Sequence, residues 1–300
     1  MSINPIYFMT NQPIPHFTPN DVTAAYGLRF HFGWHAHRRQ PLFGEPRLRS
    51  VLQDSFQRVT DAHGFHVLEM ELEPTALRAV LSLTPPTVPS AVTRLIKGNL
   101  AADARRLTGT HNLWSRGWFL RSLGEVTNET VRNYVSSQFE HHRAIPVGAP
   151  EIVEKAKYHN PADPGELRKL NHVVFEYNMH LVFTIRRRCD FLDPYVAETL
   201  IAYWRLVCER RDWRLWDVEV VGDHAHLFVG VLPTNGAEDV ALTLMNNSAY
   251  FLEQRHAAVL AQLHLDGVWQ GGFYAGSVGS ATTSQLKSYL QRRAMEAEEE

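Results

Sequence analysis

Two histidines on a short alternating segment have the clearest chemical potential in this chain. Asp223-His224-Ala225-His226 is followed directly by the apolar residues 227–229. Residues i and i+2 of a β-strand point to the same face, so His224 and His226 would present two imidazoles side by side. Paired imidazoles are typical ligands of a divalent metal ion. A His-x-His pair alone is a weak signal, because the chain has 16 histidines and a second pair in His35-Ala36-His37.

Two tyrosines on predicted helices are candidate nucleophiles. Thr127 is suited to cap a helix that runs to about His141, and Thr282 or Thr283 a helix that runs to about Ala294. These helices carry Tyr134 and Tyr289 at equivalent positions. Residues i and i+4 share a helix face, so Gln138 shares the face of Tyr134, whereas Arg293 has that place beside Tyr289.

The chain contains the same domain twice. The residues around the two tyrosines align at an offset of 155 (269 − 114), and a second block, Phe65 to Leu83, aligns with Trp213 to Val231 at an offset of 148 (213 − 65). Related domains commonly pair about a two-fold axis, so the duplication predicts a pseudo-dimer within one chain. The positions shared at offset 155 include Trp114, Ser122, Gly124, Thr127 and Tyr134 with Trp269, Ser277, Gly279, Thr282 and Tyr289.

Each copy is predicted to have the order strand, helix, strand, strand, helix, helix. This is an α+β sandwich of the ferredoxin-like or RRM-like kind, with an antiparallel sheet and helices on one side. Trp114 and Trp269 are interpreted as core anchors. The expected first-copy elements are Leu28 to Trp34, Pro46 to Ala62, Phe65 to Leu72, Leu77 to Leu83, Ser90 to Leu107 and Thr127 to His141. The expected second-copy elements are Val173 to Ile185, Pro194 to Arg211, Trp213 to Val221, His226 to Leu232, Ala237 to Leu263 and Thr282 to Ala294.

The domain boundaries follow from proline content. Residues 1–143 hold the first copy and residues 169–300 the second. The proline-rich residues 144–168 between them are expected to be an extended linker, with a short helix near Glu151 to Lys157.

Composition limits the class of protein. Cys189 and Cys208 are the only cysteines, which excludes a disulfide scaffold and a cysteine zinc cluster and suits a reducing cytoplasm. No apolar run approaches the ~20 residues of a membrane span, so no membrane partner is expected. The net charge of −2 neither supports nor excludes nucleic-acid binding. The candidate phosphate contacts are the arginine clusters Arg38-Arg39 and Arg186-Arg187-Arg188.

The combined order of these motifs resembles the single-tyrosine HUH transposases, which include the TnpA-like insertion-sequence enzymes and the REP-associated tyrosine transposases. The resemblance rests on Asp223 to His226, on Phe273-Tyr274-Ala275-Gly276-Ser277-Val278-Gly279 and on the helix of Tyr289. It covers the second copy from Asn171 to Arg293 and, more weakly, the first copy from Tyr26 to His142.

The resemblance implies a metal-dependent DNA strand transferase. In that family the histidine pair and one polar residue of the tyrosine helix bind Mg²⁺ or Mn²⁺. The tyrosine attacks a phosphodiester of single-stranded DNA, which gives a 5′-phosphotyrosine and a free 3′-OH. Family members recognise DNA hairpins and work as dimers, in which the tyrosine helix of one subunit can serve the histidines of the other.

The two copies have lost different parts of this site. Offset 148 places Ala76 opposite His224 and Arg78 opposite His226. The family has a glutamine as third ligand where the first copy has Gln138. We therefore expect one composite site, with His224, His226 and Gln138 as metal ligands and Tyr134 as nucleophile. Asp223 either orients a histidine or is only a turn residue. The reciprocal set, Ala76, Arg78, Tyr289 and Arg293, would not cleave DNA but retains groups for gripping a phosphate.

Several alternatives stay open at this point. A site within the second copy would use Tyr289 as its nucleophile. A domesticated protein would process palindromes or replicon ends, and a non-catalytic module would only bind single-stranded DNA hairpins. An RNA-binding sheet would need exposed aromatic residues at strand centres, of which no pair is evident. Association of two fused chains is compatible with each of these.

Overall fold

Alternating apolar residues build two sheets whose elements follow the duplication. The computed structural model describes residues 17–141, 156–189 and 192–286. The first copy contains β1 (Thr23–Gly27), β2 (Arg29–Ala36), α1 (Pro46–His63), β3 (His66–Glu73), β4 (Ala76–Ser82), α2 (Pro89–Thr108), β5 (Trp114–Leu123) and α3 (Asn128–His141). The remainder contains β6 (Ala156–His159), β7 (Arg168–Leu170), β8 (Val173–Glu176), β9 (Asn178–Ile185), α4 (Pro194–Arg210), β10 (Arg214–Val221), β11 (His224–Gly230), α5 (Ala237–Gln262) and β12 (Trp269–Val278). A further helix begins at residue 283.

Local sequence signals set the helix ends. The Glu45 carboxylate accepts hydrogen bonds from the first backbone N–H groups of α1, and Pro46 occupies its first turn. The helix ends at Gly64, whose φ of 66° lies in the left-handed region that glycine adopts without strain. The Asp193 side chain caps α4 in the same way through the N–H of Val196. These helices bury one apolar face against a sheet.

The two sheets exchange a strand. The first sheet has the order β3-β4-β2-β5-β8-β7, and the second has the order β1-β12-β9-β11-β10-β6. Most neighbours are antiparallel, but β1 pairs in parallel with β12, and β8 pairs in parallel with β5. The first strand of each copy therefore extends the sheet of the other copy. Helices α1 and α2 cover one face of the first sheet, and α4 and α5 cover one face of the second.

The contacts where the copies cross obey a pseudo-two-fold axis. The Ser122 hydroxyl donates to the carbonyl of Val278 at 2.5 Å, and the Ser277 hydroxyl donates to the carbonyl of Leu123 at 2.5 Å. The N–H of Asn128 likewise donates to Gly279 at 2.9 Å, and the N–H of Thr283 donates to Gly124 at 3.0 Å. Each bond recurs with the two copies exchanged, so the chain is an intramolecular pseudo-dimer.

The Ser-x-Gly segments shared by the two copies form this crossing. A Cβ on Gly124 would lie 3.1 Å from the Ser277 carbonyl oxygen, and a Cβ on Gly279 would lie 1.9 Å from the Ser122 carbonyl oxygen. Only glycine allows the two backbones to approach this closely. Buried Glu176 accepts bonds nearby from the side chain of Asn128 at 2.8 Å and the N–H of Ser280 at 2.6 Å.

The predicted fold class, the pseudo-dimer and the helices that correspond to α1–α5 are confirmed. The helix predicted from Thr282 to Ala294 begins at residue 283, and its residues after 286 lie outside the described part of the structure. Four details were wrong. The predicted order omitted β5 and β12, which are the aromatic segments that begin at Trp114 and Trp269. Residues 173–185 form two strands in different sheets instead of one strand. Residues 156 and 157 of the short helix predicted near Glu151 to Lys157 belong instead to β6, which pairs with β10, while residues 151–155 lie outside the described part of the structure. The strand expected from residue 226 already begins at residue 224.

Buried aromatic side chains anchor both cores. Trp269 is 1% exposed and donates its indole N–H to the Ser248 hydroxyl at 2.9 Å. Half-buried Trp114 donates to the carbonyl of Lys97 at 3.0 Å. Both tryptophans therefore act as core anchors, as predicted. Among the described helices, none is long and apolar enough to cross a membrane.

Candidate active site

The candidate site lies on the face of the second sheet that α4 and α5 leave uncovered. His224 and His226 both lie on this face of β11, and their ring centroids are 5.0 Å apart. The side chains are 6% and 4% exposed. In register, His226 lies between Val182 of β9 and Glu219 of β10. The strand periodicity of two thus brings the imidazoles together as expected.

Each imidazole is held through its Nδ1 atom. His224 Nδ1 lies 2.5 Å from Asp223 Oδ1, and His226 Nδ1 lies 3.0 Å from His180 Nε2. Engagement of Nδ1 fixes the ring orientation and directs coordination of a metal to Nε2. The sequence analysis left Asp223 as either an orienting group or a turn residue, and its contact with His224 is that of an orienting group.

The protonation of these supporting residues follows from burial and charge. Burial lowers the pKa of His180 to about 4, so its imidazole is neutral near pH 7. Burial alone would raise the pKa of Asp223. The hydrogen bond and charge of His224, together with the charge of Arg188, instead bring that pKa below its ordinary value. A neutral imidazole and an ionised carboxylate are the forms that can support metal-ligating histidines.

Helix α3 of the first copy lies against this second-copy face. Val131 and Val135 are buried and pack in one cluster with Trp216, Phe228 and Val278. Phe228 is two residues beyond His226 on the same strand face. The helix of one copy thus packs beside the histidine pair of the other.

An ion pair fixes α3 in this position. Arg132 Nε lies 2.9 Å from Asp217 Oδ2, and Arg132 also donates to the carbonyl of Asn160. His159 Nδ1 lies 2.6 Å from the other oxygen of Asp217, which is 1% exposed. A buried carboxylate with two charged or polar partners holds its neighbours tightly.

The described residues leave part of the predicted site open. Tyr134 and Gln138 are positions of α3, but their side chains lie outside the described part of the structure. Tyr289 and Arg293 lie outside it entirely. The helix that begins at residue 283 packs at its start against the first sheet, where Leu286 contacts Val80 and Leu123.

The two imidazoles on β11 can hold a metal ion only if another kind of side chain supplies a third ligand. Across residues 17–141, 156–189 and 192–286, no group of three or more His, Cys, Asp or Glu side chains could hold a metal ion. Two imidazoles therefore need a different third donor. An amide oxygen, such as that of a glutamine, is compatible with Mg²⁺ or Mn²⁺. The residues present fit the expected site on this condition.

His180 and Glu219 are neighbours of the site that the sequence analysis missed. Glu219 is buried opposite His226, and its Oε1 lies 3.5 Å from Lys157 Nζ. A single histidine on an apolar strand is normally interpreted as a core residue. The duplication could have pointed to His180, because this residue aligns with His31 of the first copy at an offset of 149 (180 − 31).

The predicted arginine clusters form matching turns at the ends of β2 and β9. Arg38 and Arg39 have φ of 52° and 55°, and Arg187 and Arg188 have φ of 60° and 57°. Three second-copy arginines contact the protein itself. Arg186 pairs with Asp266 at 3.1 Å, Arg187 donates to the carbonyl of His264, and Arg188 lies 3.3 Å from Asp223. Their use as phosphate contacts stays a prediction.

The equivalent positions on β4 of the first copy carry no histidine pair. Ala76 and Arg78 occupy the two positions on β4, and Arg78 Nε lies 2.9 Å from Glu73 Oε1. The other pair, His35 and His37, flanks buried Ala36 at the end of β2. His35 is half-buried beside Arg78, and His37 begins the turn that follows.

Comparison with known proteins gives a consistent family. A family-wide sequence profile described as "Transposase IS200 like" matches residues 24–138 and, separately, residues 173–293. The ISDra2 transposase TnpA of Deinococcus radiodurans is 27% identical over 128 residues, covering 43% of this chain and 91% of the relative. The transposase of insertion sequence element IS200 from Salmonella typhimurium is 20% identical over 129 residues, covering 43% and 84%.

Two solved structures of other proteins align with part of this chain at low similarity. A transposase from Deinococcus radiodurans R1 aligns with a TM-score of 0.32 and 23% identity, covering 38% of this chain and 88% of its own. A REP-associated tyrosine transposase bound to a REP hairpin aligns with a TM-score of 0.28 and 16% identity, covering 40% and 70%. Each of these proteins aligns to less than half of the duplicated chain.

Proposed function

Because the chain belongs to the IS200-like transposase family, we propose that it cuts and rejoins single-stranded DNA at hairpin-forming ends through one composite active site. The second copy supplies His224 and His226, and the first copy supplies Tyr134 and Gln138. The observation that carries this proposal is the packing of α3 on the sheet that bears the histidine pair.

Helix periodicity supports the crossed arrangement. Val131 and Val135 are buried against second-copy residues. Helical spacing of three and four puts positions 134 and 138 on the same helix face as positions 131 and 135. A tyrosine and a glutamine at those positions suit a site on that sheet face. The ion pair of Arg132 with Asp217 holds the helix there.

We assign the metal ligands from the donor set. His224 and His226 would hold Mg²⁺ or Mn²⁺ through Nε2, and Gln138 would contribute its amide oxygen. Such an ion, when bound, polarises the scissile phosphate and stabilises the charge that develops on its oxygens. Asp223 and His180 keep the two imidazoles oriented through their bonds to Nδ1.

Tyr134 is the proposed nucleophile. Its hydroxyl loses a proton and the oxygen attacks phosphorus, while the bond from phosphorus to the 3′ oxygen breaks. The products are a 5′-phosphotyrosine and a 3′ oxygen that takes up a proton as a free 3′-OH. A 3′-OH can later attack the phosphotyrosine and release the tyrosine, so rejoining needs no ATP.

The reciprocal site would not cleave DNA. Ala76 has no ligand atom and Arg78 carries a fixed positive charge, so neither replaces a metal-binding histidine. A site within the second copy, with Tyr289 as nucleophile, is less consistent with the fold. The helix that leads to Tyr289 starts against Val80 and Leu123 of the first sheet.

One active site per chain constrains the biological role. Moving an element needs cleavage at two ends, so a chain with one site must act sequentially or pair with a second chain. Alternatively it processes a single kind of end, as a domesticated protein acting on palindromes would. Each of these roles requires the same covalent intermediate.

Formation of a covalent DNA adduct tests the proposal. Labelled single-stranded hairpins from the flanks of its own gene are incubated with Mn²⁺ and the full chain. The wild type and Tyr289→Phe should form an adduct, whereas Tyr134→Phe and His224→Ala should not. An adduct lost only in Tyr289→Phe and His224→Ala would place the site within the second copy. Binding without any adduct would leave a hairpin-binding module.

A further inference from the structure

The uncovered face of the first sheet carries an open cavity at the position equivalent to the active site. The cavity, of about 480 Å³, is lined on the sheet by His31, His35, Arg78, Phe119 and Arg121. Its far side is formed by the start of the C-terminal helix, through Gln285 and Leu286. We call this the first-copy cavity. The cavity corresponds in position to the histidine pair of the second copy, since Arg78 aligns with His226.

Two guanidinium groups act on His31 in the first-copy cavity. Burial, as the largest cause, and the charges of Arg78 and Arg121 together lower the pKa of His31 to about 3. Glu73 lies 2.9 Å from Arg78 Nε, and Glu176 lies 2.9 Å from Arg121 Nε. A guanidinium has five N–H donors, so one carboxylate contact leaves capacity for an anion.

His31 has a buried polar atom that the described residues do not satisfy. Its side chain is 6% exposed, and Nε2 has no hydrogen-bond partner among them. The equivalent atom in the second copy, His180 Nε2, bonds to His226. The change from histidine to Arg78 removed that partner, yet the first copy retains the imidazole. Unsatisfied buried polar atoms are rare in folded proteins, so this nitrogen is available to a ligand that enters the cavity.

Acidic groups near the first-copy cavity limit its affinity. Glu71 lies opposite Arg78 in register on β3, and Glu73 pairs with the same arginine. Removal of the Glu73 charge should therefore free Arg78 for an anion. Tighter anion binding after removal of the Glu73 charge is therefore the effect expected of a site that uses Arg78.

Aromatic and basic groups continue from this cavity along the sheet. An adjoining cavity of about 550 Å³ shares His35 and Phe119 and adds Arg39, Lys169 and Trp118. The Phe119 ring is half-buried, and the Arg121 guanidinium lies 5.5 Å from its centroid. Cations for successive phosphates, interleaved with an aromatic ring for a base, are the pattern of a single-strand binding groove.

We propose that this first-copy face binds the backbone of single-stranded DNA without a metal, with Arg78 and His31 on a phosphate and Phe119 under a base. The choice of DNA as the ligand rests on the proposed function, whereas the binding itself needs neither cleavage nor a metal. The duplicated chain would then hold one segment of a strand on its first copy while its composite site cuts another.

Binding of a fluorescein-labelled oligothymidylate to the full chain in EDTA tests this inference by anisotropy. Arg78→Gln should weaken binding about tenfold and reduce its salt dependence, because a charged phosphate contact is lost. Glu73→Gln should tighten binding. Arg94→Gln is the matched control, because this exposed arginine lies on α2, on the other side of the same sheet. Thermal unfolding checks that each variant is folded.

Each outcome of the binding assay either supports or overturns the inference. Wild-type affinity in Arg78→Gln, or an equal loss in Arg94→Gln, overturns the inference. Preference for oligouridylate would assign the face to RNA and also overturn it. A chain that binds through Arg78 but forms no tyrosine adduct refutes the proposed cleavage and keeps this inference. A chain that forms the adduct but binds independently of Arg78 does the reverse.

Discussion

At the scale of single residues, the proposed metal site depends on side chains other than the proposed ligands. His226 is held by His180, and His224 is held by Asp223, in both cases through Nδ1. A neutral histidine that coordinates through Nε2 must carry its proton on Nδ1, so a partner that accepts this proton stabilises the binding tautomer. His180 is thus a positioning residue, and its effect should be measurable without any reaction.

Replacement of His180 should weaken metal binding. His180→Leu keeps the buried volume but removes the acceptor, so Mn²⁺ affinity should fall about tenfold to a hundredfold. His180→Gln, which offers an amide oxygen as acceptor, should recover much of that loss. Mn²⁺ titration followed by electron paramagnetic resonance gives both values.

The same titration contains its own control. His31→Leu changes the aligned position of the first copy and should leave Mn²⁺ affinity as in the wild type. Equal affinities for His180→Leu and the wild type would remove the assigned role of His180.

At the scale of elements, the Ser-x-Gly segments serve to cross the copies. The serine hydroxyls bond to backbone carbonyls of the other copy, and Gly124 and Gly279 leave the space for it. The motif that supported the family resemblance is therefore also the junction that carries each tyrosine helix from one sheet to the other. In the proposed function, this junction would affect cleavage through the placement of the helix.

Alanine at the crossing should destabilise the fold. Gly279→Ala would put a Cβ 1.9 Å from a backbone oxygen that cannot move cheaply, and we expect a loss of about 3 kcal/mol in the free energy of unfolding. Gly98→Ala is the control, because nothing lies within 4 Å of its Cβ position in helix α2. This change should stabilise the protein by about 0.5 to 1 kcal/mol. Urea unfolding gives both values, and a tolerated Gly279→Ala would argue against the crossing.

The helices could be predicted from the sequence, but the sheet partners could not. Caps such as Glu45 and Asp193 and the apolar helix spacing are local, so they fix the helix ends. The alternating pattern of residues 173–185 predicts extended backbone without naming a partner. The split of this segment at Tyr177 between two sheets is set by tertiary pairing. The segment from Trp114 was missed because charged and small residues interrupt its alternation.

The same limit applied to the site. The aligned copies made evident both the histidine pair and its replacement by Ala76 and Arg78 in the first copy. The contacts of Asp217 with Arg132 and His159 join three distant parts of the chain. No spacing rule connects such residues, so only the folded arrangement brings them together.

At the scale of the whole molecule, two buried histidines link folding to pH. The pKa values of His31 and His180 are lowered from 6.5 to about 3 and about 4, mainly by burial. Below pH 6.5 the unfolded chain takes up protons that the folded chain does not. The contribution of these two neutral histidines to the free energy of unfolding is therefore complete above pH 6.5 and is lost as the pH falls toward 4.

Removal of both imidazoles should flatten the acid response. In this range, each histidine lowers the free energy of unfolding by up to about 1.4 kcal/mol for each unit by which the pH falls. The double variant His31→Leu, His180→Leu should therefore lose less stability than the wild type between pH 6.5 and 4. Urea unfolding in EDTA at several pH values measures this, and parallel curves for the two proteins would contradict it.

The central claim is that one active site is assembled across the duplication, and the identity of the tyrosine that carries DNA tests it most directly. The adduct formed by the unaltered chain is digested with nuclease and trypsin, and the nucleotide-bearing peptide is sequenced by mass spectrometry. The account predicts the modification on residues 133–143, which contain Tyr134. Modification of residues 288–292, which contain Tyr289, would contradict it.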